Sequence, residues 1–298
     1  MIRLSGEFPA IAELRKENIL LGNEFVTNDM PYLKIGVLNL MPQKIRTEAD
    51  IIRLLSNSAL NINLVFVDVD THVSKNTPKE HIDKFYKKFS QIKNEQFDGF
   101  IITGAPLEKI DYEAVDYWEE LCEIFDWTRT NSRSTVFICW AACAALYYYY
   151  DVPKILFGSK LSGVFRHSMN DSLNPLFRGF DDEFFVPHSR FSGVAREEIT
   201  KHSELSILSE SEEGGVYIVQ GRGGKEVFIT GHSEYAADTL DCEYHRDLLK
   251  GMNPHVPDNY YRDDDPTKEI VARWKAHANL LYTNWINYYV KPSSPYLK

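Results

Sequence analysis

The stretch STVFICWAACAALYYYY, residues 134–150, decides the architecture. Ser134 to Cys139 is a short run of β-branched and apolar residues, the composition of a buried strand. The following residues are small and apolar without a break up to Asp151-Val152-Pro153, which reads as a buried helix with a clear stop. A strand passing straight into a helix is the unit of a parallel sheet covered on both faces.

The same step recurs upstream. Lys34 to Leu40 (KIGVLNL) reads as a strand, and Ile45, Ala49, Ile52 and Leu55 follow at helical spacing. Leu60 to Val69 is a second strand, after which Thr77-Pro78 opens a charged helix, Thr being a good cap and Pro suiting the first turn. Phe97 to Thr103 is a third, running into Gly104-Ala105-Pro106 and a helix with Val115, Trp118, Cys122 and Phe125 on one face. From about Gly163 the pattern changes to shorter strands and loops, of which Leu205–Leu208, Val216–Gln220 and Glu226–Thr230 extend the same sheet. Two helices close the chain, Leu240–Leu249 and a long one from Thr267 to Val290 with Ile270, Trp274, Leu281, Trp285 and Tyr288 along one side. With no repeat and no low-complexity linker, the reading is one domain over 1–298 with N-terminal and C-terminal elaborations.

Across 298 residues, 44% are hydrophobic and 26% charged, the balance of a globular chain. A formal charge of -10 argues against nucleic acid and anionic membranes as partners and favours small molecules. The opening residues lack a signal-peptide pattern and no apolar run reaches membrane-span length, so a cytoplasmic location is expected. Cys122, Cys139, Cys143 and Cys242 form neither a disulfide scaffold nor a zinc pattern, and no metal is expected.

Cys139 lies where a strand ends and a helix begins. In open α/β sheets that edge binds ligands, and a helix N-terminus stabilises a thiolate. A buried structural cysteine would read the same way, and Cys143, one turn on, belongs to the core. The backbone N–H of Trp140 is placed for half of an oxyanion hole, and a backbone N–H of the Gly104 turn for the other half. After the strand EVFIT, Thr230-Gly231-His232-Ser233-Glu234 leaves the same sheet edge. His232 and Glu234 supply a base and a carboxylate to orient it, although a lone H-x-E is also common in solvated turns. Thiol, base and carboxylate together point to acyl transfer.

The segments NLMPQKIRTE, LLSN, NTPKEH, FDGFIITGAPLE, FICWAACAAL, KLSGVF, PHSR, ITGHSEY and NLLYTNWINYYV, in order along nearly the whole chain, resemble the homoserine O-acyltransferases of methionine biosynthesis. The resemblance implies a flavodoxin-like fold related to class I glutamine amidotransferases, and a ping-pong acyl-enzyme route with Cys139 as nucleophile, His232 as base and Glu234 as its partner. It adds Lys160, Ser189 and Arg246 as substrate-site residues. Arg246 is assigned to the homoserine carboxylate and Glu243, three residues earlier on the same helix, to its ammonium; the alternative is a surface ion pair. Implied partners are homoserine and an acyl-CoA co-substrate, with no permanently bound cofactor and a homodimer as the assembly.

Glu108 sets the expected donor. A carboxylate after the Gly104 turn occupies the volume beyond a two-carbon acyl group and repels a succinyl carboxylate. In the family, glutamate there goes with acetyl donors and glycine with succinyl donors. Acetyl-CoA is therefore the expected donor, with succinyl-CoA the alternative. The sequence departs from the family pattern at Cys143 (usually glutamine), Ser233 (commonly proline) and Arg166 (frequently acidic), none of them triad positions. Two other readings compete. A glutaminase shares the triad but carries a glycine-rich elbow that FICWAAC lacks, and a non-catalytic redox sensor would not need His232 and Glu234.

Overall fold

The computed structural model describes residues 1–4, 6–19, 21 and 32–291. An eleven-stranded sheet runs through them. Its first part comprises β1 (Ile2–Arg3), β2 (Leu33–Leu38), β3 (Ile62–Asp68), β4 (Tyr86–Lys88), β5 (Phe97–Ile102) and β6 (Ser132–Ile138), all paired in parallel. The second part comprises β7 (Lys154–Met169), β8 (Glu183–Val194), β9 (Leu205–Ser211) and β10 (Gly215–Gly221), paired antiparallel. Between them β11 (Glu226–Ile229) is parallel to β6 and antiparallel to β10. The spatial order is β1-β3-β2-β5-β6-β11-β10-β9-β7-β8, with β4 on β3.

The central strands read as unbroken apolar runs because both of their faces are covered. In β6, Val136 and Ile138 enter one core and Phe137 the other; in β11, Val227 and Ile229 divide from Phe228 in the same way. One core is closed by α1 (Ala10–Lys16), α2 (Lys44–Leu55) and, from the far end of the chain, α9 (Lys275–Trp285). The other is closed by α5 (Trp118–Asn131) and α6 (Trp140–Tyr150). Between these elements lie α3 (Lys79–Phe85), α4 (Phe89–Ile92), α7 (Arg196–Ile199) and α8 (Thr239–Leu249). The α/β architecture with a mostly parallel central sheet and helices on both faces is thus the expected one. No helix among the described residues is long and apolar enough to cross a membrane.

Four local expectations are corrected. The final helix does not begin at Thr267: Ile270 bridges Tyr261, and Val271 N–H donates to the Tyr260 carbonyl, so this stretch folds back on 260–262 and the helix starts at Lys275. The region after Gly163 contains long strands, β7 and β8, whose apolar runs are interrupted by polar and charged residues such as Arg166, His167, His188, Ser189 and Arg190. Ile45, expected on the apolar face of α2, is exposed, whereas Ala49, Ile52 and Leu55 are buried. At α3, Thr77 does not cap the helix; its hydroxyl donates to the Pro42 carbonyl at 3.3 Å.

Candidate active site

Register brings the chemistry together. Ile102 pairs with Phe137 and Ile138 with Ile229, so the chains leaving β5, β6 and β11 emerge side by side as Gly104, Cys139 and Thr230. Cys139 is the junction residue between β6 and α6, with φ 51° and ψ -112°. A non-glycine residue held there carries strain of about 1–3 kcal/mol, the kind of cost that surrounding structure must fix in place. Its N–H donates to the Ile229 carbonyl at 2.7 Å and its own carbonyl accepts from Cys143 N–H at 3.2 Å. This aims the side chain out of the sheet at the N-terminus of an eleven-residue helix. Gly104 lies against it, since a Cβ on Gly104 would fall 3.2 Å from the Cys139 Cβ. The Trp140 N–H, at the first helical position, has no intrahelical acceptor.

The turn after β11 carries His232, the base expected from the sequence. Gly231 lets the chain pass under β8, where a Cβ would meet Val186 at 2.7 Å and the His188 ring at 2.9 Å. His232 N–H then donates to the Pro187 carbonyl at 2.8 Å. His232 Nδ1 and Glu234 Oε1 are 2.6 Å apart, the Tyr235 ring stacks on the imidazole at 4.2 Å, and the Cys139 sulfur acts on the same ring electrostatically. Burial opposes a charged imidazole, yet the Cys139 sulfur and the Glu234 carboxylate outweigh it, and His232 is driven well above the usual histidine range. The favoured state of His232 is therefore the imidazolium. Cys143 is fully buried and its thiol is pushed up to about 12 by burial, so it stays protonated and inert.

The other expected site residues converge from distant parts of the chain. Glu243 on α8 accepts from Lys160 Nζ of β7 at 2.7 Å, from the Ser189 hydroxyl of β8, and from the Tyr235 hydroxyl at 3.2 Å. Burial would raise its pKa, but Lys160 and Ser189 prevail and hold the carboxyl below its ordinary range. Arg246, one turn along, contacts Asp247 at 2.8–2.9 Å while its side chain remains half exposed. Glu234, Tyr235, Glu243 and Arg246 line one cavity of about 210 Å³, closed on the far side by Met41, Pro42 and Asp50. Lys160 and Ser189 do not line it; they reach it through Glu243. Glu108 is buried, has no ion-pair partner among the described residues, and acts electrostatically on Cys143 from the turn after Gly104.

A second cavity, about 360 Å³ and largely apolar, lies across the Met41-Pro42 wall and is bordered by Ala105, Pro106 and Leu107 of the same turn. The sequence reading missed Tyr235, Asp50 and the Met41-Pro42 wall. Tyr235 alone had a signal, its place directly after the H-x-E motif.

The homoserine O-succinyltransferase family profile matches residues 1–296. The homoserine O-acetyltransferase of Bacteroides thetaiotaomicron is 52% identical over 297 residues, covering 99% of this chain and 97% of its own. That of Clostridium acetobutylicum is 50% identical over 297 residues, 99% of both chains. Among solved structures, a glutamine amidotransferase from Thermotoga maritima superposes with a TM-score of 0.57 at 11% identity, over 87% of this chain and 98% of that one. A glutamine amido transferase from Methylobacillus flagellatus gives 0.53 at 10%, over 87% and 95%. At such identities the likeness is one of fold.

Proposed function

The chain belongs to the homoserine O-succinyltransferase family, and within it we propose a homoserine O-acetyltransferase that uses acetyl-CoA through an acyl-enzyme on Cys139. The observation that carries this reading is the gathering of Cys139 and the His232–Glu234 pair, 2.6 Å apart, at one sheet edge, with Glu234 lining a cavity that also presents Glu243 and Arg246.

The chemistry follows in two halves. The Cys139 thiolate attacks the thioester carbonyl, and the oxyanion forms against the N–H groups of Trp140 and the Gly104 turn. Collapse breaks the carbon–sulfur bond to coenzyme A, and the His232 imidazolium gives its proton to the leaving thiolate. Neutral His232 then takes the homoserine hydroxyl proton as that oxygen attacks the Cys139 thioester. Collapse of the second intermediate yields the O-acyl ester and restores the thiolate–imidazolium pair. Arg246 receives the substrate carboxylate and Glu243, kept ionised by Lys160 and Ser189, its ammonium. The enzyme acts in the cytoplasm as one domain over 1–298, forms a homodimer and holds no permanent cofactor.

Donor choice rests on Glu108. Its buried carboxylate beside the helix that carries the nucleophile is compatible with a short neutral acyl group and repels a terminal carboxylate. The test is the ratio of specificity constants for acetyl-CoA and succinyl-CoA with homoserine, read by product mass. The protein is expected to favour acetyl-CoA, and Glu108→Gly to gain succinyl transfer by roughly tenfold or more, since one like-charge contact in a poorly screened site is removed. A protein that already favours succinyl-CoA, or a ratio unmoved by the substitution, removes Glu108 from the acyl site.

A further inference from the structure

Cys139 stands between two cavities. On one side Glu234 and Tyr235 line the cavity of about 210 Å³ that presents Glu243 and Arg246, groups suited to a zwitterionic acceptor. On the other side is the turn after β5. A Cβ on Gly104 would fall 3.2 Å from the Cys139 Cβ, and the next three residues, Ala105, Pro106 and Leu107, border the cavity of about 360 Å³. Met41 and Pro42 line both cavities and form the wall between them. Transfer in two half-reactions brings two substrates to one sulfur, and the acceptor fills only the first cavity.

The second cavity changes character along its length. Its inner end is buried and largely apolar, formed by Val69 after β3, Ala105 and Val115. The carboxylate buried there, Asp68, is neutralised by Lys44 Nζ at 3.1 Å and Lys88 Nζ at 2.7 Å. Its outer rim comes from His72, Ser74, Lys75 and Asn76. Glu120 of α5 fixes the start of this rim, accepting from the N–H groups of Asp70 at 2.7 Å and Thr71 at 2.8 Å. His72 Nδ1 lies 2.7 Å from Asp116, the other carboxylate of the lining. Both acids therefore have partners, whereas the exposed side chains of Lys75 and Asn76 and the half-buried one of Ser74 make no hydrogen bond or ion pair with any described residue. The rim is held in shape with a cation and two neutral polar groups left to meet a ligand.

A buried apolar end beside the nucleophile and an unpaired cation at the mouth fit a ligand with a reactive acyl end, a neutral amide-bearing arm and an anionic tail. We propose that this cavity holds the pantetheine arm of the acyl-CoA donor, with the thioester reaching Cys139 past the Gly104 turn and the diphosphate meeting Lys75. The apolar wall takes the hydrocarbon of the arm, and Ser74 and Asn76 serve its amides. A volume of about 360 Å³ lies within the range of small-molecule sites, about 300–1,000 Å³. Coenzyme A then leaves by its own side of the Met41-Pro42 wall, without crossing the acceptor cavity.

This inference rests on acetyl-CoA being the donor, and its test separates the two. The second-order rate of Cys139 acylation, read by peptide mass, is measured with acetyl-CoA and with S-acetyl-N-acetylcysteamine. The short donor has the same thioester and the first amide, but neither the rest of the arm nor the phosphates. The readout is the ratio of the two rates. Val115→Phe puts a ring into the inner end and should lower the ratio by about tenfold, since the long arm loses its space. Lys75→Glu reverses the charge of an exposed side chain and should lower it by about fivefold at low salt, less as salt is raised. An unmoved ratio in either folded variant overturns the proposal, and if Val115→Phe does not fold, Lys75→Glu decides alone. Absence of a Cys139 adduct from both donors in the unsubstituted protein marks failure of the acetyl-transfer reading itself, and this assignment falls with it.

Discussion

The parallel and antiparallel halves of the sheet contribute to the site in different ways. From the parallel half and β11 come groups on strand-end turns: Gly104, Cys139, Trp140 and His232 each follow a strand within a few residues. Their mutual placement is set by strand register alone. From the antiparallel half come side chains projecting out of long strands, Lys160 on β7 and Ser189 on β8, which reach the site only through Glu243 on α8. The first set is local and forms the proposed reactive line; the second is long-range and surrounds it. Changes in the first should stop the chemistry, and changes in the second should separate its two halves.

The sharpest contrast lies within α6. Cys139→Ala and His232→Ala should each lower turnover by about a thousandfold or more, since both half-reactions need the thiolate and its base. Glu234→Gln should cost less, because it keeps the shape beside Nδ1 and loses the charge. Cys143→Ala, one turn deeper, should retain most activity, its thiol being buried and protonated. Steady-state rates of the four proteins check this, and comparable activity in the Cys139 and Cys143 variants would break the distinction.

On the charged side the effect is smaller and selective. Arg246→Lys should weaken the use of homoserine by about ten- to a hundredfold, lysine lacking the planar fork for a carboxylate. Acylation of Cys139 by acetyl-CoA alone should persist, as followed by mass in a single turnover. Loss of acylation with homoserine use intact would move Arg246 to the donor side.

These differences track what the sequence reveals. Cys139, His232 and Glu234 were readable because a strand, a turn and two or three residues suffice to place them. The Lys160–Glu243 pair spans 83 positions and Ser189–Glu243 spans 54, so their meeting depends on the β7–β8 hairpin. That hairpin was not readable, because polar and charged residues (Lys160, Arg166 and His167 on β7; His188, Ser189 and Arg190 on β8) interrupt its apolar runs. Ile270 had helical spacing with Trp274, but the pairing of 260–262 with 269–271 overrode it. The family resemblance named Lys160, Ser189, Arg246 and Glu108. It said nothing of the second cavity, whose walls come from three separate stretches of chain, 40–44, 68–76 and 105–117.

The smallest effect concerns strain at the junction itself. With φ at 51°, Cys139 occupies a region that glycine enters without penalty. Both Cys139→Gly and Cys139→Ala should be inactive, but the glycine variant should be the more stable of the two by about 1 kcal/mol. Thermal unfolding compares them, and an alanine variant equal to or above the glycine variant would mean that the turn is not strained.

The acyl-enzyme is tested by mass. The protein is mixed with acetyl-CoA in the absence of homoserine, quenched, digested and mapped, and the same sample is then given homoserine. The expected result is one acetyl group on the peptide containing Cys139, which disappears as O-acetylhomoserine forms. An adduct on another cysteine, or product formation with Cys139 never acylated, would contradict covalent transfer through this junction.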